Sequence, residues 1–182
     1  MAYEKDYDDT MLDIYKGSRA EDFRTPKAFL EFLHEEFLFN PYLDACASDF
    51  NYLAPTYYTK EDSCLEAEWE GPVFINPPYG RAIVPFLEKC NEQILKNPDT
   101  KRIMALLPAR IDTKWFHDIV CKGATRIYLI KGRFNFSHKT AVKGANAPFC
   151  SMLVEYNQSG RYHDMPQILT LDVPKEYRGW TK

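Results

Sequence analysis

Apolar positions follow two rhythms along this chain. Phe29, Leu30, Leu33 and Phe37 recur at intervals of three and four, which predicts an amphipathic helix behind Thr25-Pro26. Thr25 suits the N-cap, and Pro26 suits the first helical position, where a missing N–H costs nothing. Elsewhere the apolar residues come in short runs bounded by turn residues. Pro41 to Ala47 reads as a short strand ending in small residues, Tyr57-Tyr58-Thr59 as another, and Ser63 to Trp69 as a short helix. Val73-Phe74-Ile75 is a buried strand, and Ile83 to Lys96 a helix that leaves through Asn97-Pro98-Asp99. Arg102 to Leu107 is a strong buried strand stopped by Pro108, and Lys114 to Lys122 a helix with Gly123 as its C-cap. Arg126 to Ile130 and Ser151 to Tyr156 are strands, with Phe134-Asn135-Phe136 a candidate antiparallel partner for the second. The chain after Asn157 contains proline and carries little pattern.

Short apolar strands alternating with helices predict a three-layer α/β fold with a mixed, mostly parallel sheet. The expected organisation is a flexible acidic arm over residues 1–17, a domain over 18–156, and a tail over 157–182 packed on or beside it. Sheets of this kind bind ligands beyond the carboxyl ends of their strands. Three predicted strands end in conspicuous loops: Asp44-Ala45-Cys46-Ala47-Ser48, Asn76-Pro77-Pro78-Tyr79 and Pro108-Ala109-Arg110. All three are expected to open on one edge.

Composition narrows the function. The chain has 182 residues, 45% of them hydrophobic, enough for one domain with a core. No apolar run reaches the ~18 residues that a membrane span needs. The start, MAYEKDYDDT, lacks the apolar stretch of a secretory signal. The cysteines are Cys46, Cys64, Cys90, Cys121 and Cys150, an odd set with no C-x-x-C pair. That argues against a disulfide framework and a zinc site and for a reducing cytoplasm. His117 and His138 have no metal-like partner at helical spacing, so no metal is expected. The charge is segregated: residues 1–70 carry 17 acidic and 6 basic side chains, residues 101–145 carry 2 acidic and 10 basic. If that segregation persists in space, one face can meet phosphates.

The stretch GPVFINPPYG carries the chemistry, because a buried strand runs directly into two prolines. An exocyclic amino group on a nucleobase is a poor nucleophile, since its lone pair is delocalised into the ring. Two acceptors on its hydrogens favour a more tetrahedral nitrogen. Asn76 offers a side-chain carbonyl, and Pro77 a backbone carbonyl whose direction Pro78 restricts. Tyr79 offers a ring face for stacking. The alternative is a structural corner with Tyr79 in the core.

Asn76-Pro77-Pro78-Tyr79 resembles the catalytic motif of amino-methyltransferases that use S-adenosylmethionine. Around it, in order, stand Arg24-Thr25-Pro26, Leu43-Asp44-Ala45-Cys46-Ala47-Ser48, Tyr57-Tyr58-Thr59, Asp62, Trp69, Leu107-Pro108-Ala109-Arg110, Asp112-Thr113, Trp115-Phe116-His117, Gly132-Arg133 and Ala147-Pro148-Phe149. The ordered set resembles the phage-type, Dam-like DNA adenine methyltransferases from about Arg24 to Tyr156. The resemblance implies a Rossmann-like methyltransferase fold and methyl transfer from S-adenosylmethionine to the amino group of adenine in double-stranded DNA. It implies that Asn76, Pro77, Pro78 and Tyr79 bind and activate the flipped base. Thr25, Pro26, Asp44, Ala45, Cys46 and Ala47 would line the cofactor pocket, and Asp62 would accept from the cofactor's adenine or ribose. It implies a cytoplasmic location in a phage or bacterial host cell. One departure stands out: the usual glycine-rich turn after the first strand is absent, since Asp44 is followed by Ala, Cys, Ala and Ser.

Arg110, Lys131, Arg133, Lys139 and Lys143 are the candidate DNA contacts, the last four around a glycine-containing aromatic stretch. Arg110 serves equally as a partner for Asp112. Asp44 reads also as a turn acid and Asp62 as a helix N-cap before Ser63, while Trp69 and Trp115 read as core. Two other functions fit the corner or the fold: a methyltransferase acting on a protein glutamine or an RNA guanine, and a catalytically inactive DNA-binding module.

Overall fold

The computed structural model describes residues 24–136, 147, 149–160 and 165–179. The expected acidic arm, Lys139 and Lys143 lie outside the described residues. The described strands are β1 (Leu43–Asp44), β2 (Thr56–Tyr57), β3 (Pro72–Ile75), β4 (Arg102–Pro108), β5 (Arg126–Lys131), β6 (Ser151–Asn157) and β7 (Gln167–Asp172). They form one sheet in the order β2-β1-β3-β4-β6-β5-β7. All neighbours pair in parallel except β6, which runs antiparallel between β4 and β5. This is the mixed, mostly parallel α/β sheet that the strand–helix alternation predicts.

Helix α1 (Lys27–Phe37) lies on one face and helix α2 (Ile83–Lys96) on the other. Alternate residues of each strand serve the two layers. Val73, Ile75, Ile103, Ala105 and Leu107 pack with Phe86, Leu87 and Cys90 of α2. Phe74, Met104 and Leu106 pack with Phe29, Phe32 and Leu33 of α1. Cover on both faces explains why these strands are continuous apolar runs. The chain leaves β1 for β2 at one end of the sheet, then returns to β3 on the other side of β1. The β1/β3 boundary is therefore a topological switch point, where such sheets open a crevice.

Several local expectations give way to tertiary contacts. Residues 63–69 form turns, not a helix. The Trp69 N–H donates to the Gln93 side chain, its indole N–H donates to the Cys64 carbonyl, and Ser63 has φ +28°. Phe134-Asn135-Phe136 is not a strand of β6, both of whose edges are taken by β4 and β5. Instead the Phe134 and Phe136 rings stack in the α1-side core, and the Asn135 N–H donates to the Arg178 carbonyl. The helix expected over Lys114 to Lys122 contains a π-turn at Phe116–Val120 before its last turn, α3 (Cys121–Gly123). Gly123 is not a left-handed cap; it lies against the Asn91 side chain, which a Cβ at this position would displace. Pro108 is the last residue of β4, in register with Ser151, and not the residue before which the strand stops. The weakly patterned tail supplies β7 and the 3-10 turn Lys175–Tyr177, whose Tyr177 ring packs on Phe32.

One polar side chain interrupts the apolar run of β6. Glu155 is only 1% exposed and accepts from Arg102 Nε at 2.8 Å, Arg126 Nη1 at 3.1 Å and Tyr128 Oη at 3.2 Å. The three donors come from β4 and β5, so one carboxylate ties the antiparallel strand to both neighbours. Burying it alone would cost several kcal/mol, which the two guanidiniums offset. The nearby carboxylate and the burial together push the Tyr128 phenol up to about 12, burial being the larger cause. Glu155→Ala leaves two partly buried guanidiniums unpaired and is expected to cost about 3 kcal/mol of stability, read from urea denaturation. Loss of under about 1 kcal/mol would show that the network is only a surface ion pair.

Candidate active site

Asn76 is the first residue beyond β3, at the switch point. Pro77 and Pro78 are buried and give no N–H to prolong the ladder. Gly80, at φ +87°, lets the chain reverse into a 3-10 turn (Gly80–Ala82) that opens α2. The corner is braced by side chains. Asn76 Nδ2 donates to Thr25 Oγ1 at 3.0 Å across 51 positions of sequence, and Tyr79 Oη donates to Asn76 Oδ1 at 2.8 Å. Burial pushes the Tyr79 phenol well above its ordinary value, so it stays protonated and can keep donating. The Phe149 ring stands edge-on to Tyr79, with centroids 5.2 Å apart and planes at 81°.

Thr25 does not cap α1. The N-cap is Pro26, whose side chain has no acceptor to make a cap bond, and the Thr25 hydroxyl instead accepts from Asn76. Thr25 is 3% exposed, and its carbonyl accepts from Asn51 Nδ2 at 3.3 Å. Asn51 is a bracing residue that sequence reading missed. It lies in a loop with no periodicity to mark it.

Beside the corner, Asp44 ends β1. It is buried, and its carboxylate accepts from the Leu53 N–H at 3.0 Å and the Cys46 N–H at 3.3 Å. Burial raises its carboxyl to about 7, against the lowering effect of those two backbone donors. Asp44 is thus a turn acid by its contacts and a desolvated charge at the switch point by its position. The Ala45 N–H is spent on the Phe74 carbonyl and the Ala47 N–H on the Tyr58 carbonyl. This turn offers no cradle of free N–H groups at those positions. Cys46 is half-buried next to Cys64, and burial pushes its thiol well up, so it is an inert neutral group.

Asp62 is exposed beyond the end of β2 and accepts from Thr59 Oγ1 at 3.1 Å. It caps no helix, since none follows it. Arg110 is exposed just past β4 and lines a cavity of about 510 Å³ with Tyr79, Arg81, Trp115, Phe149 and others. Trp115, expected as core, is only half-buried and forms part of that wall, whereas Trp69 is fully buried. Lys131 ends β5 on the same edge, and its ammonium is 2.7 Å from Asp172 of β7, so this expected phosphate contact is already paired with an acid. Arg133 is exposed nearby. No described set of three or more His, Cys, Asp or Glu residues could hold a metal, and no described helix is long and apolar enough to cross a membrane.

A carboxamide and a neutral phenol are thus fixed together at the switch point of a mixed α/β sheet. Known proteins give the class. Residues 15–169 match the family described as DNA N-6-adenine-methyltransferase (Dam). The chain is 26% identical over 168 residues to the DNA N-6-adenine-methyltransferase of Haemophilus phage HP1 (strain HP1c1), spanning 92% of this chain and 87% of that one. It is 33% identical over 123 residues to the protein of the same name from Escherichia phage T1, spanning 63% of this chain and 49% of that one. The chain belongs to the Dam family and is by membership an adenine-specific DNA methyltransferase.

The Asp44 carboxyl has a pH consequence. Its folded value, about 7, lies above its ordinary 3.8, so the folded state binds the proton more tightly. Its contribution to stability is complete below about pH 4 and is lost as pH rises through 7. The stability of Asp44→Asn relative to wild type is therefore expected to rise by on the order of 2 kcal/mol between pH 5 and pH 8, read from denaturant midpoints without ligand. A pH-independent difference would show that the native carboxyl is not desolvated.

Proposed function

We propose that the chain transfers a methyl group from S-adenosylmethionine to the N6 amino group of an adenine flipped out of double-stranded DNA. The observation that carries this reading is the Thr25–Asn76–Tyr79 hydrogen-bonded chain at the end of β3. The Asn76 oxygen accepts from the Tyr79 phenol. In the proposed complex the Asn76 side-chain carbonyl and the Pro77 carbonyl take the two amino hydrogens. The Tyr79 ring supports the base plane, with Phe149 beside it. No general base is needed in advance, because one amino proton can leave for water after transfer.

The residues beyond β1 fit the cofactor's chemistry. S-adenosylmethionine supplies, when bound, an electrophilic methyl group on a positively charged sulfonium. It has no phosphate, so the turn after β1 need not cradle one. The desolvated Asp44 carboxyl would gain from a cation, and Ala45 and Ala47 permit close approach. Cys46, Thr25 and Pro26 are the further residues proposed to line the cofactor pocket. Asp62, 18 residues after Asp44 and five beyond the end of β2, is the acid proposed to accept from the cofactor's adenine or ribose. Base flipping is required because the amino group is otherwise paired and stacked, at a cost of a few kcal/mol. Arg110 and Arg133, with Lys139 and Lys143, are the proposed backbone contacts; Lys131 would join them only by giving up Asp172. The setting is the cytoplasm of the host cell.

Labelled S-adenosylmethionine offered with unmethylated DNA, RNA and host protein separates the readings. Label is expected in DNA alone, as N6-methyladenine; label in protein or RNA would favour another amine, and none anywhere an inactive module. Within the site, Tyr79→Phe keeps the ring and loses one hydrogen bond of roughly 1 kcal/mol, so a fall of about fivefold in rate is expected. Tyr79→Ala also removes base stacking worth roughly 1–3 kcal/mol, so its fall is expected to reach about thirtyfold or more. Equal losses in the two variants would contradict a stacking role.

A further inference from the structure

Extruding a base leaves a hole in the stack, and something must occupy it for the open state to persist. The segment after β4 presents a side chain built for that task. Residues 110–113 form a tight turn: the Thr113 N–H and Thr113 Oγ1 both donate to the Arg110 carbonyl, at 3.2 and 2.7 Å. Its base is fastened to the sheet. The Ala109 N–H donates to the Cys150 carbonyl at 2.8 Å, and the Arg110 N–H to the Pro108 carbonyl at 2.8 Å. Arg110 and Thr113, the ends of the turn, both line the cavity that Tyr79 lines. Between them, at the tip, stands Ile111, with 53% of its surface exposed.

Ile111 leaves about half of its surface to solvent on a tight turn beside a guanidinium, and the neighbouring Asp112 is itself exposed. Apolar side chains of this kind insert between base steps in other DNA-bending proteins. We propose that Ile111 enters the duplex and fills the space vacated by the target adenine, while Arg110 holds a flanking phosphate. The Asp112 carboxylate, beside the tip, repels phosphate and so favours an approach through the groove over one along the backbone. The inference rests on the base-flipping methyltransferase reading above. Ile111 is a positioning residue: it touches the DNA stack, not the reacting atoms.

The test uses the full chain and two duplexes carrying the methylated site, once mapped. In one, the target adenine faces thymine; in the other, it faces an abasic position, so that extrusion breaks no base pair. Ile111→Ala is expected to lower the methylation rate on the paired duplex by about tenfold, equivalent to ~1.4 kcal/mol of barrier. On the abasic duplex it is expected to stay within about twofold of wild type, and Ile111→Leu to behave as wild type on both. A 2-aminopurine at the target position is expected to brighten with the wild-type chain and less with Ile111→Ala. Wild-type rates for Ile111→Ala on the paired duplex, or the same loss on both duplexes, would overturn the wedge and leave the methyltransferase reading intact. Failure of the wild-type chain to methylate either duplex would overturn both.

Discussion

The hydrogen bond from Asn76 to Thr25 is the contact on which the site depends. It joins the end of a central strand to the segment that enters α1, and it fixes the plane of the amide whose oxygen Tyr79 also holds. Everything nearby serves that geometry. Two prolines stop β3 from continuing, Gly80 turns the chain into α2, and Asn51 reaches from the β1–β2 connection to secure the Thr25 carbonyl. A carboxamide on a free loop would spend its time solvated; here three segments of chain pin it at a sheet edge.

The sheet's one reversed strand completes the arrangement. Because β6 runs antiparallel, the chain that enters it arrives at the carboxyl edge of β3 and β4. That delivers Phe149 to the Tyr79 ring and Cys150 to the loop that carries Arg110. A parallel strand in that position would have brought its exit there and its entrance to the far side. The cost of the insertion is a buried carboxylate, Glu155, which the guanidiniums of Arg102 and Arg126 neutralise from the strands on either side. Fold electrostatics and site construction are thus linked through one strand.

Much of this was legible in the sequence, and the reasons are local. Ile83 to Lys96 carries a helical period, while Val73-Phe74-Ile75 and Arg102 to Leu107 are short apolar runs bounded by turn residues, which their length marks as buried strands. The corner was legible because prolines after an apolar run admit few conformations. What escaped depended on distant partners. Thr25 looks like a cap until Asn76 takes its hydroxyl. Residues 63–69 look helical until Gln93 and Asn97 claim the backbone of Trp69. The Gln167–Asp172 strand is too exposed to show a buried pattern and exists because β5 offers it an edge. Lys131 looks like a phosphate contact until that same strand brings Asp172 to it. Trp115 looked like core because helical spacing does not show which turn of a helix borders a cavity.

The central claim is that the amide fixed at the end of β3 delivers an adenine amino group for methylation. Its most direct test is single-base mapping of N6-methyladenine in DNA from methylation-deficient cells that express the chain. Wild type is expected to mark adenines in one recurring sequence context, and Asn76→Ala to mark none while remaining folded. Methyladenine at background level with wild type, or the same marks with Asn76→Ala, would contradict the account.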